Sequence, residues 1–140
     1  MANEAVIIEL FGSPKGEPIS FTCDSGVAIE KGTILWFGTP RKISGASTTG
    51  APFAGIAAME KVAADASTQI SCYTKGIFGL TCGAAITAGN LVFLSGQNKV
   101  HTLAAGNIGS YHLSGGWCVG KALATGSAAD VINVLVGAGA

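Results

Sequence analysis

A ten-residue pattern that occurs twice constrains the fold of this chain more than any other feature. Residues 28–37 read Ala-Ile-Glu-Lys-Gly-Thr-Ile-Leu-Trp-Phe, and residues 85–94 read Ala-Ile-Thr-Ala-Gly-Asn-Leu-Val-Phe-Leu. Aligning Gly32 with Gly89 gives an offset of 89 − 32 = 57 residues. An apolar pair, a turn glycine and a run of β-branched and aromatic residues are typical of a turn followed by a buried strand. The repetition predicts two copies of one all-β unit.

Each copy continues with a Gly-x-Ala step and a closing strand, at residues 55–57 and 68–73 in the first copy and at 120–122 and 130–136 in the second. Short strands separated by Gly-rich turns, with no amphipathic helical period, are typical of a β-barrel or sandwich. Duplication favours a small barrel or two packed half-barrels, because closure removes exposed strand edges. We therefore predict an all-β fold, a small β-barrel or sandwich built from two related half-units, with an extended N-terminal arm.

The N-terminal residues lie outside the repeat. Residues 6–8 (Val-Ile-Ile) are β-branched and favour a strand, whereas residues 12–18 contain two glycines and two prolines and are typical of a linker. We predict an N-terminal arm and Pro/Gly-rich tether over residues 1–18 and a β-barrel domain over residues 19–140. An apolar strand on a tether either pairs with the edge of its own domain or adds to the sheet of a neighbouring molecule. The sequence leaves both alternatives open, with disorder of the arm as a third.

Charge is scarce on this chain. Charged residues make up 11% of the sequence and the net charge is zero, whereas a typical soluble domain has about 25% charged residues. Such a surface favours contact with other protein, and a neutral monomer surfaced with small polar residues is the alternative. There is no basic run for nucleic acid and no apolar stretch long enough to span a membrane, and the first four residues lack the basic start and apolar run expected of a signal peptide. We expect a protein that is made and used inside a cell, or assembled there, with neither nucleic-acid nor membrane partners.

The spacing of the cysteines matches no metal motif. The four cysteines, Cys23, Cys72, Cys82 and Cys118, are separated by 49, 10 and 36 residues, which fits no zinc pattern. Their apolar, strand-like contexts favour buried free thiols, and a disulfide is the alternative.

No group of residues indicates catalysis. The base candidates are His101, expected on the solvent side of a strand, and His112, expected in a loop beside Tyr111. A Cys–His dyad would need a local motif that is missing, and the Gly/Ser/Thr loop at residues 44–52 lacks the Lys-Ser/Thr pair of a phosphate loop. We therefore expect no enzyme activity, no cofactor, and no catalytic, cofactor-binding or metal site.

The order of the motifs resembles that of phage capsid decoration (cement) proteins, a small all-β family long described only as a domain of unknown function. The shared features are an early Val-x-Ile-x-x-Gly strand, a Gly-Ile-Ala strand, a Lys-Gly step into Ala-Ile-Thr-Ala-Gly-Asn-Leu-Val-Phe, and a C-terminal strand pair. They lie at residues 27–35, 54–57, 75–78, 85–93, 119–123 and 131–136. The resemblance covers about residues 19–137.

This resemblance implies a structural virion protein. It would bind the outside of an assembled viral capsid, after assembly in the host cytoplasm, and stabilise the capsid by bridging neighbouring subunits of the major capsid protein. Such proteins are often homotrimers, and an apolar N-terminal arm commonly provides the contact. The capsid-contact candidates here are Ala5, Val6, Ile7, Ile8, Leu10 and Phe11.

Two other classes of function stay open at this point. A non-catalytic carbohydrate- or peptide-binding module exposed on a particle surface would present Trp117, Tyr111 and His112 as an aromatic platform, and its tryptophan fluorescence would change with a bound glycan. A cysteine hydrolase would lose its activity when its nucleophilic cysteine is replaced by serine.

Overall fold

The computed structural model describes residues 3–10, 18–45, 52–102 and 118–137. Its strands, in chain order, are β1 (Val6–Leu10), β2 (Ile19–Thr22), β3 (Ile34–Thr39), β4 (Lys42–Gly45), β5 (Phe53–Ala57), β6 (Gln69–Tyr73), β7 (Gly76–Cys82), β8 (Leu91–Leu94), β9 (Lys99–Thr102), β10 (Cys118–Ala122) and β11 (Val131–Val136). A 3-10 turn at Ala63–Asp65 lies between β5 and β6. No helix within the described ranges is long and apolar enough to span a membrane.

Some of the sequence predictions concern residues outside the described ranges. These are most of the tether with Phe11, the middle of the Gly/Ser/Thr loop, and the aromatic candidates Tyr111, His112 and Trp117. They stay predictions.

Each copy of the repeat closes into a five-stranded barrel of its own. Barrel one has the strand order β2-β4-β3-β5-β6, and barrel two has the equivalent order β7-β9-β8-β10-β11. The pair that closes each barrel, β2 with β4 and β7 with β9, is parallel, and the other pairs are antiparallel. β1 lies outside both barrels and pairs with β7. The predicted all-β class with two related units is confirmed, and each unit is a complete barrel.

The duplicated glycines form the same turn in both barrels. Gly32 and Gly89 have φ angles of 90° and 92°, a conformation that glycine adopts without the clash of a Cβ. The amide of Gly32 donates to the carbonyl oxygen of Ala57 (2.9 Å), and that of Gly89 donates to Ala122 (2.8 Å). The alanine of the Gly-x-Ala step therefore anchors the turn, which explains why both motifs recur in both copies.

The sequence offset between the two copies is larger after β9 than before it. Gly55 and Gly120 are equivalent residues of β5 and β10, and their offset is 120 − 55 = 65 residues. The turn glycines differ by 57, so 65 − 57 = 8 additional residues fall between β9 and β10. The insertion leaves the order and pairing of the strands unchanged.

The two barrels share part of their core. The buried side chains inside barrel one form one cluster, whereas the cluster inside barrel two also includes Ile34 and Ile56 from the wall of barrel one. Asn98, in the hairpin between β8 and β9, is fully buried, and its side-chain oxygen accepts a hydrogen bond of 3.0 Å from the amide of Ile34. The wall of barrel one therefore completes the core of barrel two.

Replacing Gly120 by alanine is expected to lower the free energy of unfolding by about 1–3 kcal/mol or more, because added atoms in a packed core force the backbone apart. A Cβ on Gly120 would overlap the carbonyl oxygen of Leu135 on β11. Gly26→Ala is the matched control, since no atom lies within 4 Å of its added Cβ. Urea titration measures both variants, and equal stability would contradict the close approach of β10 to β11.

Candidate functional site

The N-terminal strand is paired within its own chain. β1 runs antiparallel to β7, with Val6 opposite Gly79 and Leu10 opposite Gly76. The register shifts at Ile8, which is the extra residue of a β-bulge. Within this single chain the strand has the first of the arrangements that the sequence left open, because it pairs with the edge of its own domain and extends the sheet of barrel two.

The arm lies in a track lined by Gly32, Gly76 and Gly79, which we call the arm seat. A Cβ on Gly76 would lie 2.5 Å from the carbonyl oxygen of Glu9, and a Cβ on Gly32 would lie 2.7 Å from that of Ala5. Side chains do not tolerate contacts this short, so glycine is required where the backbone of the arm approaches the barrels. The seat therefore fits an extended backbone, and it includes residues of both barrels.

Equivalent positions that carry no arm lack this crowding. Gly89, the counterpart of Gly32 in barrel two, has almost the same φ, but no atom lies within 4 Å of its added Cβ. Ser20 of barrel one is the counterpart of Gly79, because Ser20 pairs with the third residue of β6 and Gly79 pairs with the third residue of β11. A residue with a side chain therefore occupies this position in barrel one. The close approach is thus a property of the arm seat and not of the barrel fold.

The arm also contacts barrel one. The amide of Ala5 donates a hydrogen bond of 2.7 Å to the carbonyl oxygen of Gly32, and a hydrogen bond with Glu4 lowers the pKa of the Glu30 carboxyl. Ala5 and Leu10 are half-buried against the shared core. The arm therefore joins the turn of barrel one to the first strand of barrel two.

Most side chains of the arm face solvent. Val6, Ile7 and Ile8 are 56%, 38% and 52% exposed, and the neighbouring Val131 is 61% exposed. A Cβ on Gly79 would lie 3.1 Å from Cγ1 of Val131 and 3.5 Å from Cβ of Val6, so the two valines flank this glycine on one face. We call Val6, Ile7, Ile8 and Val131 the exposed arm surface.

The structure places the six predicted contact residues unequally. Three of them are exposed, Ala5 and Leu10 are half-buried, and Phe11 lies outside the described residues. Sequence reasoning missed Val131, because a β-branched residue at the start of a strand is usually a core residue. The available signal was the polar residue Asn133 in the middle of β11, which is expected to point outward. Residues two positions apart in a strand share a face, so Val131 is expected to point outward as well.

All four cysteines are free thiols, as the sequence interpretation held; Cys23, Cys72 and Cys82 are buried, whereas Cys118 is half-buried. Burial raises the pKa of each of them, and it raises the pKa of Cys72 to about 12 with a smaller contribution from Cys23. A thiol with a raised pKa is a weak nucleophile at neutral pH. This electrostatic environment does not favour cysteine chemistry.

His101 is a packed strand residue. Its ring is half-buried, lies 4.6 Å from the ring of Phe93, and has Nδ1 2.7 Å from a backbone carbonyl oxygen. Within the described ranges, no three His, Cys, Asp or Glu side chains are grouped so that they could hold a metal ion.

Comparison with known proteins gives a family and a fold. A family model described as phage cement protein matches residues 13–138. The crystal structure of the head fiber gp8.5 N base in bacteriophage phi29 is similar, with a TM-score of 0.54 at 14% sequence identity, over 85% of this chain and 93% of that chain. At this identity the likeness shows a shared fold. No curated protein sequence matches the chain significantly.

Gly76→Ala is expected to displace the arm, because its Cβ would collide with the carbonyl oxygen of Glu9. Gly96→Ala is the matched control, since Gly96 also has a positive φ but no atom within 4 Å of an added Cβ. Hydrogen exchange followed by mass spectrometry should show at least about tenfold faster exchange of the β1 amides in Gly76→Ala only. Unchanged protection of β1 in this variant would contradict the seat.

The raised pKa values predict slow reaction of the thiols with an aromatic disulfide reagent at pH 8. An unperturbed thiol, with a pKa of about 8.5, is partly ionised at that pH, whereas Cys72, with a pKa of about 12, stays protonated. We expect Cys72 to react only after denaturation, and Cys72→Ser identifies its share of the signal. Rapid modification of Cys72 in the folded protein would refute its burial.

Proposed function

This chain belongs to the phage cement protein family and is a capsid-associated structural protein, and we propose that it binds the outside of an assembled capsid and stabilises it by bridging neighbouring subunits of the major capsid protein. The observation that carries the proposal is the exposed arm surface, which combines apolar side chains with a free strand edge. A partner that binds only the assembled lattice stabilises that lattice by mass action.

The outer edge of β1 is suited to a second strand. β7 is its partner, and no other strand of the described ranges pairs with it. Natural proteins usually protect such edges with lysine, proline or inward-pointing charges, but Glu9 is the single charged residue of β1. An extended segment of a capsid subunit would gain backbone hydrogen bonds by adding to this edge.

The side chains of the exposed arm surface add apolar area to such a contact. Val6, Ile8 and Val131 are each more than half exposed, and complete burial of a Val or Ile side chain is worth about 1.5–3 kcal/mol. Burying the exposed half of each contributes about 1 kcal/mol per residue before the cost of ordering both partners. One contact of this size is weak, so bridging two subunits is the effective arrangement.

Self-association and location complete the proposal. Ten large apolar side chains of the described residues are exposed, and with 11% charged residues the surface has little to keep copies apart. We propose a homotrimer on the capsid exterior of the virion, assembled in the host cytoplasm, with a structural and non-catalytic role.

The double variant Val6→Asp/Ile8→Asp is expected to bind expanded, undecorated capsids at least about tenfold more weakly, because two carboxylates would have to be desolvated at the contact. Val27→Asp/Leu123→Asp is the matched control, since Val27 and Leu123 are 45% and 46% exposed and neither lies on a strand that pairs with β1. Co-sedimentation of labelled protein with capsids measures both affinities. Equal binding by the two double variants would remove the exposed arm surface from the contact.

Deletion of residues 2–11 is expected to abolish capsid binding while both barrels stay folded. The barrels close without β1, so circular dichroism should retain the β-sheet spectrum. Normal decoration of capsids by the truncated protein would show that the arm makes no contact.

A further inference from the structure

The arm is held mainly through its backbone. The amide of Ala5 binds the carbonyl oxygen of Gly32, and the β1–β7 pairing supplies the other main-chain contacts. The side chains of Val6, Ile7 and Ile8 remain more than one third exposed. Contacts of this kind form equally well with the same segment of another chain. The seat therefore binds the arm segment itself, whichever copy of the chain supplies that segment.

The tether between the arm and the barrels is long enough for the arm to reach a seat other than its own. Residues 11–17 separate Leu10 from Pro18 and include two glycines and a proline. Eight peptide steps of at most about 3.3–3.6 Å span roughly 27 Å. The arm of one chain can reach any seat within that distance of its own Pro18, including a seat on an adjacent copy.

An empty seat would be unfavourable. Without the arm, residues 76–79 of β7 would present an open edge on the side that β1 now covers, and the carbonyl oxygen of Gly32 would lose the amide of Ala5. Unpaired main-chain groups and open edges are costly and promote pairing with other chains. Loss of the arm therefore costs stability and leaves an edge that favours pairing with a strand of similar shape.

We propose that the arm seat accepts residues 4–10 of a second copy of this chain, so that neighbouring copies exchange arms. In dilute solution the tether gives the chain's own arm a local concentration in the millimolar range, and that arm occupies the seat. When copies are packed side by side, reciprocal exchange keeps every seat filled and loses no contact. After exchange, every copy still carries an exposed arm surface at the same place on its barrel two. Exchange is therefore compatible with capsid binding but does not require it.

The test joins two single variants of the full chain by a disulfide. A Cβ on Gly79 lies 3.5 Å from Cβ of Val6, which is within the range of about 3.5–4.5 Å for a disulfide, and Gly79 does not have a positive φ. A mixture of Val6→Cys and Gly79→Cys chains is oxidised at rising protein concentration. We expect a disulfide-linked pair of one chain of each kind, with a yield that rises at least tenfold between micromolar and millimolar protein.

Two controls define the result. Ile8→Cys is equally accessible but lies at the bulge, away from Gly79, so its mixture with Gly79→Cys should give little cross-linking. The double variant Val6→Cys/Gly79→Cys should close a disulfide within one chain when dilute. If the single variants unfold at the wild-type temperature and their mixture gives no linked pair at any concentration, arm exchange is wrong, whether or not the protein binds capsids.

A second measurement leaves Gly79 unchanged. A nitroxide attached to an unlabelled Ile8→Cys chain is mixed at high concentration with wild-type chains labelled with ¹⁵N. Exchange should broaden the amide signals of residues 76–79 and Gly32 in the labelled chain more than those of Gly89, which lies away from the seat. Equal broadening of all three regions, or none, would refute exchange even if Gly79→Cys proved unstable because of its contact with Val131 at 3.1 Å.

Discussion

Closure of each five-stranded unit is the constraint on which the rest of the structure depends. The parallel pairs between β2 and β4 and between β7 and β9 convert two short sheets into barrels, which removes most of the exposed strand edges. In barrel two, closure uses only Thr81 and Cys82 of β7. Residues 76–79 stay open on that side, and β1 covers them. The candidate site therefore lies where closure is incomplete.

The two barrels have the same strand order but different surroundings, and their sequences diverge accordingly. Lys61 and Gly126 are equivalent, since each makes the isolated bridge of its barrel. Lys61 is 3% exposed, and its Nζ donates to two backbone carbonyl oxygens at 2.9 and 2.6 Å, which offsets the cost of burying an amine. Gly126 occupies the equivalent position in barrel two, where an added Cβ would collide with the side chain of Ile132. Duplication preserves the pairing, while the local environment decides the side chains.

In the function that we propose, the arm combines two tasks, because a strand has two faces and two edges. Its inner edge pairs with β7, and Ala5 and Leu10 pack against the shared core. Its outer edge and the side chains of Val6 and Ile8 remain available. Backbone pairing can thus hold the segment in place without consuming the apolar surface that a partner would bury. This division suits a short strand to the capsid contact that we propose.

The all-β class, the duplication and the apolar arm could be predicted from the sequence because each is a local pattern. Gly32 and Gly89 mark the turns before two similar apolar strands. The alternation around Ile70 and Cys72 correctly separated the inner from the outer side of β6. Local periodicity reports which residues of one strand share a face. The same information made residues 6–8 recognisable as a strand.

Only the tertiary structure decided where that strand lies and what surrounds it. Val6 pairs with Gly79, far along the chain, and Val131 reaches the same place from a third strand. The burial of Asn98 between the barrels is equally non-local. Each of these contacts depends on which edge remains open after both barrels close, and that is a property of strands distant in sequence. The sequence by itself determined the strands and their repetition, and the packing of the two closed barrels determined the seat, the exposed arm surface and hence the candidate site.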